Sequence, residues 1–98
     1  MSWATQIIED LQAGKTIQCR PKGNSMTGRI SSGQLCTIAP LDRDPKKGEV
    51  VLCKVRGKQY LHIVSGVKGD QFQISNNHGF VNGWTSRKNV YGLLTKVE

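Results

Sequence analysis

Two residues of this chain have the types needed for acyl-transfer chemistry. Ser25 stands in the short turn Gly23-Asn24-Ser25-Met26, and His62 stands in the apolar run "QYLHIV". A serine hydroxyl is a weak nucleophile until a neighbouring base takes its proton. Histidine suits that task, since its ordinary pKa near ~6.5 leaves it neutral at pH 7. The same residues have plainer uses. A serine flanked by glycine and asparagine bonds to its own turn, and a sheet histidine bonds to a neighbour. Each is useful to catalysis only with the other, so the elements that carry them decide the matter.

Residues 3–13 read as a helix, with Ser2 as its cap, Ile7, Ile8 and Leu11 on one face and Gly14 as its stop. Beyond it the pattern becomes alternating. Strands are expected over 15–20, 34–40, 48–55, 58–67, 71–75 and 89–97, separated by the turns "RPKGN", "DRDPKKG", "RG", "KGD" and "NNHGFVNGW". Short strands at short intervals predict a mostly β, coiled, barrel-like antiparallel sheet with one short N-terminal helix. Ninety-eight residues make a single domain, the helix in 1–14 and the β part in 15–98. The Arg56-Gly57 pair predicts a tight hairpin that fixes His62 on a strand, sharing a face with Tyr60 and Val64.

The segment "NNHGFVNGWTS" concentrates asparagines and rings in a few residues. One reading is an extended connection that covers a mouth of the barrel with Phe80 and Trp84. The other is a contact loop for a peptide or protein partner, built from Asn76, Asn77, His78 and Trp84. His78 is a second candidate base, less fixed than His62. Cys19, Cys36 and Cys53 show no metal-ligand spacing and read as buried free thiols. No metal or cofactor pattern is present.

A net charge of +7 would attract phosphates or an acidic partner, and solubility alone accounts for it about as well. Lys46, Lys47, Lys54, Arg56 and Lys58 cluster around the hairpin, and a nucleic-acid role requires them to align with Arg20, Lys22 and Arg29. No apolar run approaches the ~20 residues of a membrane span, and the N-terminal residues lack the apolar core of a signal peptide. The expected compartment is the cytoplasm, with no membrane association.

"GNSM", followed by "SGQLCTIAP", "KKGEVVLCKV" and "YLHIV", resembles the superfamily of LexA-like self-cleaving repressors and type I signal peptidases. The likeness runs from about Arg20 to Val97. It implies a LexA/signal-peptidase-like β-fold in which Ser25 is the nucleophile, Met26 packs beside it and contacts substrate, and His62 is the base. Histidine at this place is similar to the endoplasmic-reticulum type of signal peptidase. Those Ser-His relatives add an aspartate in a Gly-Asp-Asn segment after the base strand, where this chain has "ISNNHG" and no carboxylate, so Ser25 and His62 are expected to form a dyad unless Asp70 or an asparagine substitutes. LexA-like members cut an Ala-Gly or Cys-Gly bond. Ala13-Gly14 offers such a bond, although a helix C-terminus is the better reading of the pair. The implied function is a small serine peptidase-like protein acting on an extended peptide or on itself. The competing expectation is an inactive member of the fold that binds a peptide, a protein or nucleic acid.

Overall fold

The computed structural model describes residues 4–98. Helix α1 (Thr5–Gln12) is followed by β1 (Ile17–Cys19), β2 (Cys36–Pro40), β3 (Val50–Val55), β4 (Lys58–Lys68), β5 (Gln71–Ser75) and β6 (Val81–Ser86). A single 3-10 turn (Arg87–Asn89) then leads into β7 (Val90–Val97). Ser2, expected to cap the helix, lies outside the described residues. The helix ends as expected: Gly14 takes φ 85°, and the N–H groups of Gly14 and Lys15 donate to the carbonyls of Leu11 and Asp10. This pattern satisfies the last carbonyls of the helix and requires a left-handed residue at Gly14. Ala13-Gly14 is therefore a helix terminus in the folded chain.

The seven strands form one antiparallel sheet in the order β1-β2-β7-β3-β4-β5-β6. It curls but does not close, so the expected barrel-like closure is corrected to an open sheet with β1 and β6 as its edges. Thr85 Oγ1 on β6 donates to the Lys54 carbonyl of β3 at 2.7 Å, and this side-chain bond stands where a closed barrel would have a ladder. The hairpin at Arg56-Gly57 forms as expected, with both residues at positive φ (51° and 81°) and Val55 paired with Lys58. Such a two-residue connection matches the twist of the strands it joins.

β3 is buried on both faces, which explains the unbroken apolar run "VVLC". Val50 and Leu52 join Ile8, Leu11 and Ile38 in a core between α1 and the sheet. Val51, Cys53 and Val55 point to the opposite face and form a second core with Val64, Phe72 and Ile74. Cys36 and Cys53 are buried free thiols, whereas Cys19 is only half-buried because β1 is an edge strand. Burial raises the Cys53 thiol to about 12, so it stays protonated.

The helix can approach the sheet because β7 carries Gly92. A Cβ at that position would lie 2.6 Å from Ile38 Cγ2, 2.8 Å from Leu11 Cδ1 and 3.0 Å from the Ala39 carbonyl oxygen. Gly92→Ala is therefore expected to destabilise the fold by about 1–3 kcal/mol through overpacking. Urea unfolding of the two proteins measures this, and equal midpoints would contradict the packing argument.

Candidate active site

Ser25 sits on one turn of chain between β1 and β2. The Met26 carbonyl accepts the N–H groups of Arg29 and Ile30, and the Asn24 carbonyl accepts the Thr27 N–H and hydroxyl. Met26 and Ile30, four residues apart, are 5% and 4% exposed and plug the turn into the core under α1. With its neighbour buried, Ser25 is left at the surface, its hydroxyl free to meet a second element.

That element is β4. His62, 6% exposed, places Nε2 3.0 Å from Ser25 Oγ. Its other nitrogen, Nδ1, lies 2.7 Å from Asn82 Oδ1. With the amide oxygen as acceptor, Nδ1 carries the proton and Nε2 turns its lone pair toward the serine hydroxyl, the tautomer a general base requires. The Tyr60 ring lies beside the imidazole, 4.8 Å between centroids. Burial moves the His62 pKa below its ordinary value, partly opposed by the bond to Asn82, so the ring is neutral at pH 7.

Asn82 is the orienting residue that sequence reasoning missed. On β6, Gly83 pairs with Ile74 and Val81 with Ser75, leaving Asn82 unpaired at a bulge. Bulges re-aim side chains, and this one brings the amide to His62. β6 itself was expected to be a connecting loop. Phe80 and Trp84 do not cover a barrel mouth either, being 64% and 47% exposed.

The other expected residues divide by role. Asn77 donates its backbone N–H to the Ser25 carbonyl at 2.9 Å and its Nδ2 to the Thr27 carbonyl at 2.8 Å. His78 Nε2 donates to the Asn24 carbonyl at 2.8 Å, which makes it an anchor of the turn and not a second base. Asn76 Oδ1 accepts the N–H groups of His78 and Phe80 and shapes its own loop. Gly28 lets this clamp close: at φ 101°, a Cβ there would stand 2.9 Å from Asn77 Nδ2. Trp84 pairs with Gln73 on β5, away from the dyad. Asp70 lies in the β4–β5 turn, where its carbonyl accepts the Arg87 N–H.

Ser25, Met26 and His62 open on a cavity of about 470 Å³, whose walls also include Ile30, Gln59 and Leu61. Asn76, Asn77, His78 and Trp84 do not line it. Of the basic residues, Arg20 and Lys22 stand at this cavity, whereas Arg29 turns away to donate to the Gly48 carbonyl at 2.9 Å. No group of three or more His, Cys, Asp or Glu side chains that could hold a metal gathers among the described residues, and no described helix is long and apolar enough to cross a membrane. Compared with family models, curated proteins and solved structures, the chain matches none.

The depressed His62 pKa has a defined pH consequence. The unfolded chain takes up the His62 proton near pH ~6.5, before the folded chain does, so stability falls as pH drops through that region. His62→Gln should remove this part of the acid-side slope. Chemical unfolding of both proteins between pH 7.5 and 5 tests it, and identical slopes would contradict the buried, neutral imidazole.

Proposed function

We propose that this protein is a small serine peptidase-like domain of the LexA/signal-peptidase kind, working through Ser25 and His62 with Asn82 behind the base. The observation that carries the reading is the Ser25 Oγ–His62 Nε2 contact of 3.0 Å, with Asn82 on the far nitrogen. In the reaction, Ser25 Oγ attacks the scissile carbonyl carbon while His62 Nε2 takes the hydroxyl proton. The protonated imidazole then gives that proton to the leaving amine, and the acyl group stays on Ser25. Water, deprotonated by His62, releases the acid and restores the serine.

Two backbone features support a peptide as the substrate. The Ser25 N–H has no hydrogen-bond partner among the described residues, which leaves it free to face the oxyanion of the tetrahedral intermediate. The second feature is on β4. Val64 exchanges bonds with Gly48 and Glu49, so by antiparallel alternation His62 and Tyr60 also bond toward β3, while Leu61 and Gln59 point their N–H and C=O groups the other way. β5 begins to pair with β4 only at Ile63. Gln59 and Leu61 thus present an open strand edge beside Ser25, suited to adding an extended peptide.

The test is incubation with a library of extended peptides, with products read by mass spectrometry. Discrete cleavage by the wild-type protein and none by Ser25→Ala is expected. Binding without cleavage by both proteins would favour a non-catalytic peptide-binding domain.

A further inference from the structure

The cavity beside Ser25 carries information about its ligand beyond "extended peptide". Its base is apolar, formed by Met26, Ile30 and Leu61. At about 470 Å³ it falls within the ~300–1,000 Å³ that holds small ligands, so it has room for a large apolar side chain. Two polar features break this lining. Gln59 Oε1 is buried without a hydrogen-bond partner, although its residue stands on the open β4 edge. Buried acceptors are nearly always satisfied in folded proteins, and this one, closed off from solvent on a residue that lines the cavity, is completed when the Gln59 side chain turns outward to a ligand's donor.

The second polar feature is the rim. Arg20 and Lys22 stand there, and no aspartate or glutamate lines the cavity. The three ion pairs among the described residues join Arg43 to Glu49, Arg87 to Asp44 and Lys96 to Glu98, so neither rim cation is neutralised by one. Arg20 is held in place by its Nη1 donating to the Gly33 carbonyl at 2.9 Å, while Lys22 is exposed at the end of a flexible stem. Two like charges of this kind beside an apolar well set a preference for a carboxylate next to an apolar residue.

We infer that the substrate is an acidic-apolar peptide: an extended segment with a large apolar side chain between Met26, Ile30 and Leu61, a hydrogen-bond donor on Gln59 Oε1, and a carboxylate at Arg20 and Lys22. The inference rests on the peptidase reading for its peptide substrate and assigns Gln59 and Lys22 as specificity-determining residues. These residues select the segment, whereas Ser25 and His62 act on its carbonyl.

The experiment uses the Ser25→Ala protein, so that peptide selection is measured without turnover. Three fluorescein-labelled ten-residue peptides, each with a central leucine flanked by Glu, Gln or Lys, are titrated in low salt and followed by anisotropy. The Glu peptide is expected to bind at least about 10-fold more tightly than the Lys peptide, with the gap shrinking as salt rises. Adding Lys22→Glu should largely erase the difference between the two peptides, because the new carboxylate cancels Arg20. Adding Gln59→Leu should weaken all three by about 10-fold and leave their order unchanged. Equal affinities for the three peptides, or no binding to a folded variant, would overturn the inference even if the wild-type protein hydrolyses peptides. A single-stranded oligonucleotide that binds more tightly than the Glu peptide and displaces it would also overturn it, giving the basic rim to nucleic acid. Conversely, selective binding with no hydrolysis by the wild-type protein would leave the peptide preference standing and remove the catalytic reading.

Discussion

Replacing Ser25 with alanine is expected to lower peptide hydrolysis by on the order of 10⁴-fold or more, while the protein stays folded. The expected loss is large because the reaction has no other nucleophile: His78 is bonded to the Asn24 carbonyl and the buried Cys53 thiol stays protonated. The structural cost is small by comparison. Ser25 is exposed and gives up one hydrogen bond to His62, worth about 1 kcal/mol. His62→Ala should produce a loss of similar size, and the double variant should be scarcely worse than either single one. Residues that act as a unit fail together. Initial rates for the three variants, beside their unfolding midpoints, separate loss of chemistry from loss of fold.

The second large effect is expected at Asn82. Asn82→Ala removes the acceptor for His62 Nδ1–H, at present 2.7 Å away. The ring is then free to take the other tautomer, with a proton on Nε2 facing Ser25 and no lone pair to receive the hydroxyl proton. A fall of about 10²–10⁴-fold in hydrolysis is expected. A merely structural residue would also lower activity, so the informative variant is Asn82→Asp. A carboxylate at that place favours the charged imidazole, both in the resting protein and in the tetrahedral intermediate. Asn82→Asp is therefore expected to hydrolyse faster at pH 8 and to move the acid limb of the rate profile to higher pH. The limb of the wild-type protein should lie below pH ~6.5, since burial holds the His62 pKa down. Unchanged profiles in both variants would show that Asn82 does not position the base.

The parts of this molecule most legible in the sequence are those governed by local chemistry. Gly14 after a helical face marked the helix end, and Arg56-Gly57 between two apolar runs marked a hairpin, because each is decided within a few residues. The hairpin also fixed which strand carries His62. Ser25 next to Met26 was readable for a similar reason: one residue wants the core, the other has no such need, and the turn between two glycines separates them.

What escaped was set by long-range register. β6 has Asn82 and Gly83 side by side near its start and lacks a clean alternation, so its strand character comes from pairing with β5 and not from its own propensity. Asn82 was hidden for a further reason. Its aim depends on a bulge between Ile74 and Ser75, an offset between two strands that neither strand states alone. The asparagines in "ISNNHG" occupied the expected position of the orienting group, yet both are bound up in their loop and in the Ser25 turn. The open edge of the sheet was equally illegible, because short strands with tight turns are common to closed barrels and curled sheets.

Activation of Ser25 by His62 is tested most directly by covalent labelling. The protein is exposed to a fluorophosphonate at pH 8 and digested, and the modified residue is located by mass spectrometry. A single adduct on Ser25 is predicted, forming much more slowly in His62→Ala and not at all in Ser25→Ala. No adduct on Ser25, or equal labelling of Ser25 with and without His62, would contradict the account.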